Sequence, residues 1–107
     1  MNTHDYQQRA ARTLATTDPV ETMKLTLIGM QGELGEISEP LKKFLYSGHE
    51  LDIDHIEQEV GDLLWYLANL CNSLGIEMQH AMQRNMEKLK QRYPEGFSSQ
   101  KSIHRDR

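Results

Sequence analysis

The fold is decided by residues 56–75, which read IEQEVGDLLWYLANLCNSLG. Apolar residues recur in this stretch every three or four positions, and that spacing puts them on one face of an α-helix. Gly75 follows the last of them and is a typical residue for ending a helix. The stretch therefore predicts a long amphipathic helix, whose apolar positions are Ile56, Val60, Leu63, Leu67, Leu70 and Leu74.

The same period runs through the rest of the chain. A short helix is predicted over residues 3–14 and a last helix over residues 76–91. Between them, Asp18-Pro19 is a typical helix start, and the apolar stripe that follows it extends to Leu41. Pro40 lies inside that stripe and should kink this second helix or split it in two. We therefore expect an all-α fold, a bundle of four to five helices.

Composition limits the classes of protein to which the chain can belong. Its 107 residues fit one domain, which we expect over residues 1–97, with a polar, mobile tail over residues 98–107. The net charge of −4 argues against binding to nucleic acid polymers. No apolar run approaches the roughly 20 residues of a membrane helix, and the N-terminus lacks the apolar core of a signal peptide. A cytoplasmic protein without membrane contact is expected.

Two acidic motifs carry the chemical information: Glu33-Leu34-Gly35-Glu36 and Glu59-Val60-Gly61-Asp62. Carboxylates three residues apart lie about 60° apart around a helix and form one acidic spot. Each pair encloses a glycine, which costs a helix roughly 1 kcal/mol relative to alanine. These glycines suggest that two backbones, or a backbone and a ligand, approach closely there. If the two helices pack antiparallel, all four carboxylates converge.

Four converging carboxylates need a positive counter-charge. Oxygen ligands of this kind suit Mg²⁺ or Mn²⁺, and Mg²⁺ is usually shared between carboxylates and substrate phosphates. Neither acidic pair contains a histidine, which argues against a di-iron centre of the ferritin type. His49, His55 and His80 show no ligand spacing with the acids and are interpreted as surface residues. Ordinary solvated acids are the alternative interpretation of either pair taken alone.

The two motifs resemble the signature of the MazG family of all-α nucleoside triphosphate pyrophosphohydrolases. That signature is Glu-x-x-Glu, a spacer, and Glu-x-x-Asp, and the second motif continues here as Leu63-Leu64-Trp65-Tyr66-Leu67-Ala68. The ending, KLKQRYPEGF at residues 88–97, is also similar to that of the family. The resemblance covers about residues 5–97 and identifies the family more closely than the substrate.

The resemblance implies hydrolysis of a nucleoside triphosphate to the monophosphate and pyrophosphate. Glu33, Glu36, Glu59 and Asp62 would hold Mg²⁺ on the triphosphate, with Mn²⁺ able to substitute, and Glu36 or Glu33 would orient the attacking water. A homodimer or homotetramer is implied, with the site near the subunit interface. The base and sugar stay open, as does the choice between nucleotide-pool cleansing and pool adjustment.

Five further residues are candidates for substrate contacts. Lys43 lies two turns after Glu36 and is a candidate for a phosphate contact. Asn69 lies two turns after Asp62 and is a candidate for a base or sugar contact. Solvated or edge positions are the alternatives for both. On the last helix Asn85, Lys88 and Arg92 form a polar stripe, and the resemblance implies phosphate contacts from Lys88 and Arg92.

Two other functions remain open. A catalytically silent helical module that binds a nucleotide or a partner would not need all four acids. A metal-dependent phosphohydrolase acting on another nucleotide derivative would keep the metal site and change the substrate.

Overall fold

The computed structural model describes residues 1–104, which form five α-helices and no extended strand. The helices are α1 (Thr3–Ala11), α2 (Pro19–Ser47), α3 (Ile53–Leu74), α4 (Met78–Arg92) and α5 (Ser99–Ile103). The predicted all-α fold is confirmed. The short helix α5 lies within the predicted tail, whose mobility stays a prediction and whose last three residues lie outside the described part.

Local signals in the sequence fix the ends of the two long helices. The Asp18 side chain accepts a hydrogen bond from the Val20 amide and caps α2, while Asp52 accepts from the His55 amide and caps α3. Gly48 and Gly75 end these helices with φ values of 72° and 69°, a left-handed conformation that glycine adopts without the steric cost of a β-carbon.

Helix α2 runs without interruption through Pro40. Of the two predicted outcomes, a kink or a split, the split does not occur. Proline removes one hydrogen bond from the helix, and the turns on either side remain helical. As a consequence, the residues on both sides of Pro40 belong to one 29-residue helix.

Helices α2 and α3 form an antiparallel hairpin, because only residues 48–52 join them. Their packing includes one very close approach, where Gly29 of α2 faces the ring of Tyr66 on α3. A β-carbon at Gly29 would clash with that ring. The absence of a side chain at Gly29 therefore lets the two helices come together at this point.

A polar cluster holds α1 against the hairpin. The Gln7 amide group donates to Asn72 Oδ1 at 3.0 Å and to the Ile76 carbonyl at 2.7 Å, and its oxygen accepts from the Met78 amide at 2.8 Å. Asn69 is fully buried and donates to the Ala10 carbonyl at 3.3 Å. We call Gln7, Asn69 and Asn72 the amide clasp.

The hydrophobic core is small for a chain of this length. Its buried apolar residues are Ala10, Ala68, Cys71 and Met78, with Tyr6 and Trp65 packed against them. Parts of the predicted apolar faces remain open: Leu27 is 59% exposed on α2, and Met86 is 63% exposed on α4. Helix α4 packs chiefly on α1. None of the helices in residues 1–104 combines the length and apolar character needed to cross a membrane.

Candidate metal centre

The hairpin brings the two acidic motifs together. Glu33 and Glu36 lie in the middle of α2, while Glu59 and Asp62 lie in the first half of α3. Because the helices are antiparallel, the lower-numbered acid on α2 faces the higher-numbered acid on α3. The convergence predicted from the spacing is present in the structure.

The first group of converging acids consists of Glu33, Glu59 and Asp62. One carboxylate oxygen from each lies within 4.8 Å of the other two. Glu33 and Glu59 are half-buried and Asp62 is exposed, so the group opens to solvent on one side. This opening would let a ligand reach the carboxylates from solvent.

The second group consists of Glu36, His55 and Glu59, whose ligand atoms also lie within 4.8 Å of one another. His55 Nε2 is 3.7 Å from Glu59 Oε1. The interpretation of His55 as lacking ligand spacing with the acids was therefore wrong. It lies four residues before Glu59, and residues four apart share one face of a helix. This spacing was the signal in the sequence that could have identified it.

The electrostatics of the site are unfavourable without a cation. A hydrogen bond with the Glu59 carboxyl group, burial, and the negative charges of Glu59, Asp62 and Glu36 raise the pKa of Glu33 to about 7. Glu33 Oε2 is a buried oxygen without a hydrogen-bond partner. A buried acceptor with no donor is costly, so this oxygen marks a place for a positive or proton-donating ligand.

The donor set fits a divalent metal ion. Carboxylate oxygens are the preferred ligands of Mg²⁺ and Mn²⁺. Glu33, which carries the unpartnered oxygen, is a member of the first group. Glu59 belongs to both groups and would be the shared ligand if two ions bind.

A tyrosine supports the second motif from outside the acid cluster. The Tyr6 hydroxyl donates to the Gly61 carbonyl at 3.4 Å, a long bond. Burial and the nearby Asp62 charge raise the pKa of this hydroxyl. Tyr6 thus keeps its proton and ties α1 to the segment that carries Glu59 and Asp62.

The glycines within the motifs do not serve the expected packing role inside this chain. A β-carbon on Gly35 or Gly61 would meet no atom within 4 Å, so the predicted close approach of two backbones is wrong for the described residues. The close approach is found instead at Gly29, one turn before the first motif, in a part of the sequence that no motif indicated.

Two predicted substrate residues are already engaged elsewhere. Lys43 Nζ lies 3.9 Å from Glu39 Oε1 on the same helix, in an exposed pair. Asn69 belongs to the amide clasp and has no exposed surface. Their assignment to the substrate stays a prediction, and the geometry gives Asn69 a structural role in holding α1.

The polar stripe of α4 lies apart from the acidic motifs in the packing of the helices. Asn85 and Lys88 are exposed and line a shallow depression together with Ala81 and Arg84. Arg92 is half-buried at the end of the helix. Because α4 packs chiefly on α1, the structure does not join this stripe to the acids on α2 and α3. Phosphate contacts from these residues stay a prediction.

Comparison with known proteins agrees with the geometry. Residues 21–97 match the model of the MazG nucleotide pyrophosphohydrolase domain, and this span contains both acidic motifs. The chain therefore belongs to the MazG family, an all-α family for which nucleotide pyrophosphohydrolase activity is indicated.

One relative is a phage protein. The gene 37 protein of Mycobacterium phage L5 is 34% identical over 83 residues, which cover 74% of this chain and 73% of the relative. No solved structure matches the chain significantly.

Proposed function

We propose that this protein hydrolyses a nucleoside or deoxynucleoside triphosphate to the monophosphate and pyrophosphate with the help of Mg²⁺. The observation that carries the proposal is the pair of ligand groups that share Glu59 on the α2–α3 hairpin. The family match to a nucleotide pyrophosphohydrolase domain supports the same reaction. Neither observation names the base.

The four acids divide the work between binding and proton transfer. Bound Mg²⁺ would neutralise the triphosphate and make a water molecule more acidic. Glu59 and Asp62 would hold the metal from α3, together with Glu33 and Glu36, which face them from α2. Glu36 or Glu33 orients the attacking water and accepts its proton. The water oxygen bonds to the α- or the β-phosphorus. The bond from that phosphorus to the oxygen that bridges the two breaks, which releases the monophosphate and pyrophosphate.

The protein acts as a homodimer or homotetramer. One chain exposes 8342 Å², whereas a compact monomer of its mass exposes about 6,100 Å². Its radius of gyration is 17.2 Å, against about 13 Å for a compact chain of this length. The excess of about 2,200 Å² per chain is the size of an obligate subunit interface. Such an assembly would bury Leu27 and Met86, which the single chain leaves exposed.

Assembly would also bring the polar stripe of α4 from one subunit to the substrate of another. The single chain separates Lys88 and Arg92 from the acids, and a neighbouring subunit can present the same residues to the triphosphate. The role we propose is cleansing or adjustment of the nucleotide pool in the cytoplasm.

A turnover screen tests the reaction. The purified protein is incubated with Mg²⁺ or Mn²⁺ and each canonical or modified nucleoside triphosphate, and the products are separated by chromatography. Monophosphate plus pyrophosphate in a 1:1 ratio supports the proposal and names the base. Diphosphate plus orthophosphate overturns the reaction and keeps the metal site. Metal binding without turnover of any nucleotide favours a binding module or a phosphohydrolase for another nucleotide derivative.

A further inference from the structure

The N-terminal cap of α3 fixes the position of the His55 backbone. It is the third residue of α3, and its backbone amide donates to Asp52 Oδ1 at 3.1 Å as part of the helix cap. The cap therefore sets the first turn of the helix, from which the imidazole reaches toward Glu59 one turn later. The ring nitrogen Nε2 lies 3.7 Å from Glu59 Oε1.

The spacing of the second ligand group suits a shared cation better than a hydrogen bond. A distance of 3.7 Å between nitrogen and oxygen is too long for a hydrogen bond. Two ligands bound octahedrally to one ion at about 2.1 Å are about 3.0 Å apart when adjacent and about 4.2 Å apart when opposite. The ligand atoms of Glu36, His55 and Glu59, all within 4.8 Å, are close to that range.

The other explanation of this contact is a simple ion pair. The side chain of His55 is 45% exposed, and exposed ion pairs contribute little to stability. A pair of this kind also leaves Glu36 unexplained, since Glu36 adds a second carboxylate beside the same ring. Two carboxylates and one imidazole arranged around one point form a donor set that suits a transition-metal ion.

We propose that His55 is a nitrogen ligand of the metal centre and that it makes the side formed by Glu36 and Glu59 prefer Mn²⁺, or a similar transition-metal ion, over Mg²⁺. Imidazole binds transition metals more readily than Mg²⁺, which favours oxygen ligands. Glu59 is shared between this side and the all-carboxylate side. The inference rests on the proposed metal-dependent function, because it assigns a ligand within that site.

The chain offers a matched control for testing this ligand. His80 is exposed and is the third residue of α4, the same position that His55 has in α3. It belongs to neither ligand group in the described part of the chain. His55→Ala and His80→Ala thus remove the same side chain from the same helical position, and only the first removes a proposed ligand.

The test measures metal binding directly. Electron paramagnetic resonance gives the affinity for Mn²⁺, competition gives the affinity for Mg²⁺, and pulsed measurements detect nitrogen coupled to bound Mn²⁺. We expect coupling from one histidine nitrogen in the parent protein and in His80→Ala. In His55→Ala the coupling should disappear, and the ratio of Mn²⁺ to Mg²⁺ affinity should fall about tenfold.

The outcomes separate this inference from the proposed function. Bound Mn²⁺ without nitrogen coupling, or coupling that survives His55→Ala, overturns the role of His55 and leaves the four acids in place. An unchanged affinity ratio in His55→Ala also overturns it. Failure of the parent protein to bind either ion, or binding that persists in Glu59→Gln, overturns the metal centre as a whole.

Discussion

The amide clasp and the acidic site are both polar clusters at helix contacts, and they differ in how their hydrogen bonds are satisfied. In the clasp, Gln7 donates twice and accepts once, and Asn69 donates to a carbonyl while it accepts from Asn72. In the acidic site, a buried oxygen of Glu33 has no partner. Satisfied polar groups fix the fold, whereas an unsatisfied buried oxygen marks a place where a ligand can bind.

The difference has an energetic consequence. A buried polar network with its partners in place stabilises one arrangement of the helices. A group of carboxylates that repel one another lowers the stability of the metal-free protein. The chain therefore combines a satisfied network, which fixes α1 on α3, with an acidic cluster that lowers the stability of the metal-free protein. Substitutions in the two regions should have opposite effects on stability and on activity.

The largest effect is expected from acids at the open side of the site. Glu36→Gln and Asp62→Asn each remove a charge while they keep the shape of the side chain. Turnover of the best triphosphate should fall by about 10²-fold or more, as for other groups that stabilise developing charge. The helical content in circular dichroism should not change. Near-normal turnover of either variant with Mg²⁺ would show that the site is elsewhere.

The reverse pattern is expected for the clasp. Gln7→Ala removes one buried and two part-buried hydrogen bonds and leaves their partners unsatisfied, and each such loss costs roughly 1 kcal/mol or more. The free energy of unfolding, measured with urea, should fall by about 2–4 kcal/mol, while the folded variant still binds metal. Gln8→Ala is the control, since Gln8 is exposed on the same helix. Equal losses for the two variants would contradict a special role for Gln7.

The helix contact next to the site gives a smaller effect. Gly29→Ala would place a methyl group against the Tyr66 ring, and overpacking of this kind costs about 1–3 kcal/mol. Gly32→Ala lies one turn later, where a β-carbon meets no atom within 4 Å. There alanine should stabilise the helix by up to about 1 kcal/mol. Urea unfolding of both variants measures the difference, and a stabilising Gly29→Ala would refute the close approach.

The contrast between these glycines shows what the sequence can predict. The periods of the apolar residues, with Asp18 at the start of α2 and Gly75 at the end of α3, predicted these helices, because such signals act within a few residues. The spacing of the acids predicted the cluster, since three-residue spacing fixes one face. The contact of Gly29 with Tyr66 depends on how two helices dock, and no local pattern encodes it.

His55 and Asn69 show the same difference between local spacing and the packing of helices. The four-residue spacing of His55 and Glu59 was readable in the sequence, and its meaning depended on Glu36 arriving from the other helix. Asn69 had the helical spacing of a site residue and was assigned to the substrate. Its burial under α1 follows from the packing of a helix almost 60 residues earlier in the chain. The residues that share one face of a helix can thus be predicted from local spacing. The helix that packs against this face cannot.

The smallest effect, and the one that depends on pH, is expected from Glu33→Gln. The pKa of Glu33 rises from 4.5 to about 7 in the folded, metal-free protein, so the folded state binds more protons than the unfolded state between these values. The stabilisation from protonated Glu33 is complete below pH 4.5 and is lost as the pH rises through about 7. Glutamine resembles protonated glutamate at every pH, so Glu33→Gln should keep this stabilisation as the pH rises.

Melting curves with a chelator present check this prediction. At pH 5 the parent protein and Glu33→Gln should melt at nearly the same temperature. At pH 8 the variant should be more stable by about 1 kcal/mol, a value reduced by solvent screening of the half-exposed site. Added Mn²⁺ should reverse the order at pH 8, because metal replaces the proton on Glu33 and glutamine cannot supply a charge. A difference in melting temperature that stays constant from pH 5 to pH 8 would mean that Glu33 does not titrate as part of the cluster. The acidic site would then not be destabilised by its unsatisfied carboxylates, and its energetic contrast with the amide clasp would be refuted.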